Sequence, residues 1–174
     1  MKKAFLFASL FLCSVFCFSQ SASAQAIGQI TIGGNIGLTS ITSGGSGDKG
    51  AFHFNVEGAY RTDYKTSVIS TIGFTSYTNS SLLEVSGNGR YVFNPSEEYK
   101  FFGEVGLGSY TLKVTILGFS ASQSYFGFNL GGGVSKNIND KVGVTAKIKY
   151  HNPLTGSDGA LNWINATVGV YVGI

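Results

Sequence analysis

Charge is scarce in this chain. Only 12% of its 174 residues are Asp, Glu, Lys or Arg, whereas water-facing surfaces usually carry about 25–35%. A folded domain this poor in charge is short of solvent-exposed surface. Charge of one sign is lacking too. With Lys2 and Lys3 set aside, ten basic residues stand against nine acidic ones, which argues against an electrostatically held partner such as nucleic acid. The two cysteines, Cys13 and Cys17, lie in the apolar start, and the rest of the chain has none. Disulfide and thiolate chemistry are therefore excluded from it. No long window shows helical periodicity. Phosphate loops, zinc motifs and nucleophile elbows are also missing, and no cofactor is expected.

What is there begins with a targeting pattern. Lys2 and Lys3 precede the largely apolar stretch from Ala4 to Phe18, and Ala22-Ser23-Ala24 offers a small-x-small cleavage site before Gln25. The apolar run is too short to span a membrane as a helix. Residues 1–24 are expected to be a cleaved signal peptide and 25–174 the mature domain; Ala24-Gln25-Ala26 offers a second cleavage site two residues on. The residues before Cys13 and Cys17, Leu12 and Phe16, are bulky, which disfavours a lipid-anchored start.

The remainder divides into eight segments of about ten residues, separated by Gly, Ser, Asn, Asp and Pro clusters. The last, Ile164 to Ile174, shows the rule. Ile164, Ala166, Val168, Val170, Val172 and Ile174 fall on one face, and Asn165, Thr167, Gly169, Tyr171 and Gly173 on the other. A period of two is a β-strand between an apolar and a polar medium. Similar alternation runs through Gln29–Thr39, Phe52–Arg61, Ser67–Tyr77, Leu83–Phe93, Lys100–Lys113, Tyr125–Ser135 and Val142–His151. Three irregularities stand out. Ile69 falls on the polar face, Asn88-Gly89 interrupts the fourth segment without splitting it, and the upper half of the fifth drifts, which suggests a bulge. Glu57, Arg61, Glu84, Arg90, Glu104, Lys147 and Lys149 all take the polar face; Lys113 breaks the rule only if the fifth strand keeps its register that far.

Alternation alone does not say which face points out. A soluble barrel would show a charged exterior, but here the polar face is mostly Gly, Ser, Thr and Asn, which suits a narrow lumen. Ten residues at ~3.3 Å, tilted by ~40°, rise roughly 25 Å, the height of an outer-membrane apolar band. Tyr60, Tyr91, Phe93 and Phe101 would mark the lower rim, and Phe52, Phe74, Phe126 and Tyr150 the upper. The expected fold is an all-β, eight-stranded antiparallel up-and-down transmembrane barrel, with the last strand closing on Gln29–Thr39.

The eight-segment pattern, the signal peptide and the ending Thr167-Val-Gly-Val-Tyr-Val-Gly-Ile174 together resemble the small OmpA/OmpX-type outer-membrane barrels of Gram-negative bacteria. The resemblance implies location in the outer membrane and recognition by the barrel-assembly machinery through Thr167, Gly169, Val172 and Ile174. Ile174 stands where the family usually ends in Phe. The resemblance also implies outer-membrane lipids as surroundings and a monomer, and no peptidoglycan-binding domain is expected after the barrel.

The residues that could carry chemistry are few. A lumen charge network is expected from Glu57, Glu84, Arg90, Glu104, Lys147 and Lys149, with Arg90 opposite Glu104 if Phe93 pairs with Phe101. Its two readings are structural plugging and a narrow ion path. His53 and His151 fall near the upper rim, where isolated histidines are ordinarily solvated. Ser157, Asp158 and Glu84 could serve a hydrolase, but no spacing joins them to a histidine, and two separated histidines make no metal site. Ser40–Gly50, Leu117–Gln123 and Asn152–Ala160 are expected to be outer loops, with Thr78–Ser81 a short one. The expected function is a structural or surface-interaction role without enzymatic activity. A small-solute pore and a lipid-modifying enzyme are the alternatives.

Overall fold

The computed structural model describes residues 27–42, 50–116, 119–154 and 162–174. The expected signal segment, most of the expected Ser40–Gly50 loop, and Ser157 and Asp158 lie outside them. Eight strands follow one another: β1 (Ile30–Ile41), β2 (Ala51–Arg61), β3 (Thr66–Ser76), β4 (Ser80–Val92), β5 (Tyr99–Ile116), β6 (Phe119–Asn137), β7 (Val142–Pro153) and β8 (Trp163–Gly173). Each pairs antiparallel with its sequence neighbours, and β8 returns to β1 to close the barrel. Closure runs from Thr31 opposite Gly173 to Ile41 opposite Trp163. No sheet edge is left over along the paired wall, which is the condition for crossing a bilayer with strands.

Alternation follows the medium. Ile36, Leu38, Ile72, Val105, Leu130, Ile148 and Val168 face outward and stay more than half exposed, whereas Asn35, Asn55, Thr71, Asn88 and Thr145 are buried inside. The outward aromatics Tyr60, Phe93, Phe101, Phe52 and Phe126 are exposed in the same way. Such an inverted surface is stable only against lipid. Asn88 and Gly89 sit within a continuous β4, opposite Ile69 and Val68. Ile69 points into the lumen, 1% exposed.

The expected bulge in β5 is absent. The β5 ladder to β6 runs without interruption from Tyr99–Lys136 to Ile116–Phe119. β5 and β6 are therefore longer than the pattern suggested, and Phe119–Gln123 is strand rather than loop. Lys113 does fall on the outward face, exposed. The drift has a physical cause. Above Ser109 and Phe126 the outward positions become Thr111, Lys113 and Thr115 on β5 and Ser120, Ser122 and Ser124 on β6. Thr111 and Ser124 hydroxyls meet at 2.8 Å and those of Thr115 and Ser120 at 3.1 Å. This hairpin has left the apolar band, so its outer face meets water and polarity changes sides.

Candidate functional site: the barrel lumen

The inward face of the strands builds two polar layers. In the lower, Arg90 on β4 donates through Nε to Glu104 Oε1 on β5 at 2.7 Å, and its other arm lies 3.7 Å from Glu57 Oε2 on β2. From β7, Lys147 donates to Glu57 Oε1, and Lys149 Nζ lies 3.5 Å from Glu104 Oε2. The antiparallel register dictates the first of these pairs, because Arg90 and Glu104 are direct cross-strand partners. The Arg90 guanidinium also lies 4.2 Å over the Phe102 ring. Glu57, Glu104, Lys147 and Lys149 are all nine-tenths or more buried, so each depends on its partners for the hydration it has lost.

The upper layer is amide and aromatic. Thr39 donates to Asn165 Oδ1 at 2.6 Å, and Asn35 to Asn55 Oδ1 at 2.6 Å. Asn165 Nδ2 donates to His151 Nε2 at 3.2 Å, so a neutral His151 carries its proton on Nδ1, which faces the Tyr110 hydroxyl at 3.2 Å. His53 sits beside it, with Nδ1 2.8 Å from Thr75 Oγ1 and Nε2 3.1 Å from Asn55 Nδ2. Trp163 stacks on His151 at 5.0 Å and meets Tyr110 edge-on at 5.0 Å. Leu82 completes this cluster.

The histidines are thus the opposite of solvated rim residues: His53 is 1% exposed and His151 is fully buried. Both reach inward from β2 and β7 because their parity matches Asn55 and Lys149. Glu84, expected among the lumen charges, stands apart from the lower layer. It accepts from Ser86 Oγ at 2.7 Å and lies 3.9 Å from His151 Nδ1. A serine, a carboxylate and a histidine thereby come together, but Ser86 bonds the carboxylate and the histidine nitrogens face Asn165 and Tyr110. Within this group of described residues the serine is therefore not paired with the histidine. Among the described residues no three His, Cys, Asp or Glu side chains converge as metal ligands.

Sequence reasoning missed Tyr110, Trp163 and Leu82. Trp163 could have been found, since it stands two residues before Asn165 and shares its face. In β8, Thr167 and Gly169 point inward, while Ile174 is 61% exposed outside. The Ile174 amide donates to Ile30 O at 2.8 Å.

Residues 9–172 match the outer membrane protein beta-barrel domain family. The chain belongs to that family. It is an outer-membrane β-barrel protein of the small OmpA/OmpX type. Neisserial surface protein A has the same fold, with a TM-score of 0.73 at 16% identity, covering 88% of this chain and 99% of that one. The N-terminal β-barrel domain of Pseudomonas aeruginosa OprF gives 0.66 at 14% identity, covering 84% and 98%. Ail, the attachment invasion locus protein of Yersinia pestis, gives 0.62 at 19% identity, covering 86% and 100%. At these identities the likeness is one of fold alone. No curated protein sequence matches the chain.

Proposed function

We propose that this family member is a closed, non-enzymatic barrel with a structural or surface-interaction role in the outer membrane. The observation that carries the reading is the filled lumen. A layer of five charged side chains from four strands spans its section, and the Tyr110–His151–Trp163 cluster blocks it above. Small barrels whose side chains fill the interior leave no water column. The lipid-modifying alternative finds no support in the buried histidines, whose ring nitrogens are engaged by Asn55, Thr75, Asn165 and Tyr110.

The projecting β5–β6 hairpin supports the surface-interaction half. Above the apolar band its lumen-side face carries Leu112, Val114, Phe119 and Ala121, with Phe119 84% exposed. On this reading the protein is a monomer bathed in outer-membrane lipids, exported through a cleaved signal peptide and delivered to the barrel-assembly machinery by Thr167–Ile174.

Planar-bilayer recording of the purified barrel tests the closed lumen. The expected record has no conductance steps. Discrete steps whose size changes with Glu104→Ala would overturn the proposal in favour of a narrow pore. Lipid A and phospholipid acylation should be unchanged in a deletion strain, and an altered acyl pattern would point to the enzyme.

A further inference from the structure

Below the ion-pair layer, at the mouth where β1 begins and β8 ends, the lumen holds a cavity of about 60 Å³. Arg90 and Glu57 form its inner end, and Gln29, Arg61, Lys100 and Tyr171 line its wall. The charges here do not balance. Five cationic side chains face the described lumen (Arg61, Arg90, Lys100, Lys147, Lys149) against three carboxylates (Glu57, Glu84, Glu104). Arg90, Lys147 and Lys149 have carboxylate partners. Of these five lumen cations, the two without one are Arg61 and Lys100, and both open into this cavity.

Lys100 is only 7% exposed. Gln29 is 6% exposed, and neither its amide nitrogen nor its oxygen has a hydrogen-bond partner. The stretch before Ile27 contains no Asp or Glu that could complete the site. A lysine side chain buried this far without a counter-ion, on the same cavity as a buried amide without a partner, is costly unless something else occupies the space.

We propose that this vestibule binds a phosphate-class dianion from the periplasm. A charge of two matches the excess of two cations, which a single carboxylate or chloride would leave half uncompensated. The Arg61 fork and the Lys100 ammonium supply charge-assisted donors from opposite parts of the wall, and the Gln29 amide adds a neutral one. The space holds a handful of water-sized spheres at about 10–15 Å³ each. It takes a tetrahedral oxyanion with any ester group directed toward the mouth, and a diester, carrying one charge, would leave half of the excess uncompensated. The ligand is therefore free phosphate or the terminal phosphate of a monoester. The inference does not depend on whether the lumen conducts.

The test uses the full barrel folded in an uncharged, phosphate-free detergent. Inorganic phosphate and glycerol 1-phosphate are titrated separately at constant ionic strength and followed by NMR. Either probe should give a saturable one-to-one response confined to the surroundings of Gln29, Arg61 and Lys100, with a raised unfolding temperature. Arg61→Gln and Lys100→Gln should each weaken it by about tenfold or more. Gln29→Leu, which keeps both cations, should weaken it severalfold. Response to inorganic phosphate supports free phosphate as the ligand, and response to the ester alone supports a headgroup. The proposal is overturned if neither probe saturates at millimolar concentration, if potassium chloride gives the same shifts, or if the Arg61→Gln/Lys100→Gln double variant still binds.

Discussion

Lys147 reaches across the lumen from β7 to donate to Glu57 on β2, ninety positions away in the chain and on a strand that is not its sheet neighbour. This contact ties opposite walls of the barrel through its centre. Glu57 in turn meets Arg90, Arg90 holds Glu104, and Glu104 faces Lys149. The layer is a single connected unit in which Glu57, Arg90 and Glu104 each have two partners, while Lys147 and Lys149 hang on one carboxylate each.

That coupling makes the Lys147–Glu57 pair a quantitative test. Lys147→Met should lower stability by about 3–5 kcal/mol, because Glu57 is left buried and short of one partner. Replacing both partners, Glu57→Leu with Lys147→Met, should recover most of the loss, since Arg90 keeps its bond to Glu104. Urea unfolding in lipid vesicles measures both variants. A double variant as unstable as the sum of the singles would mean that the two charges act separately.

Trp163 is the only tryptophan in the chain and is 2% exposed inside the barrel. It packs against His151 and Tyr110 rather than against lipid. Its emission should be blue-shifted and resistant to iodide, and brominated lipid chains should quench it weakly. Trp163→Ala should cost about 3–5 kcal/mol, the range for deleting a large buried aromatic. Strong quenching by brominated lipid would place the ring on the outer face and sink the assignment.

The outer wall was legible in the sequence because lipid and lumen sort side chains at every second position, and the sorting needs no knowledge of which strands meet. Register was legible where a short turn fixes it, as between Phe93 and Phe101, whose backbone bond is 2.9 Å long. The interior was less so. The Trp163–Tyr110–Leu82 cluster breaks the expectation of a polar inside, since a plug needs volume as well as hydrogen bonds. The environment of His53 and His151 depends on side chains from four other strands, which no single segment reveals. In β5 and β6 the pattern inverted where the hairpin left the membrane, so a regular ladder read as a drift.

The β1–β8 seam gives a paired test at two nearby glycines. A Cβ on Gly37 would run into the Ala166 carbonyl oxygen and the Thr167 Cα of β8, whereas one on Gly34 would meet nothing within 4 Å. Gly37→Ala must therefore push the closing strands apart and should cost about 1–3 kcal/mol. Gly34→Ala should be neutral or stabilising by up to about 1 kcal/mol, as a strand glycine gives up its unfolded freedom. The temperature at which the folded band is lost on a gel shows both shifts. Equal shifts for the two would mean that closure is not tight at Gly37.

The boundary of the apolar band can be located with lysine. Ile72 lies in the middle of β3, between Val56 and Val85, and is 60% exposed to the outside. A charge there sits near the bilayer midplane, so Ile72→Lys should cost about 2–4 kcal/mol. Lys113 occupies the same outward face on β5 but stands among Thr111, Thr115 and Ser122, above the band. Lys113→Leu should change stability by less than about 0.5 kcal/mol, the usual scale for surface substitutions. Unfolding in vesicles compares the two directly. If Lys113→Leu stabilised the barrel by as much as Ile72→Lys destabilised it, the β5–β6 hairpin would lie within lipid, and the inversion of its two faces would need another cause.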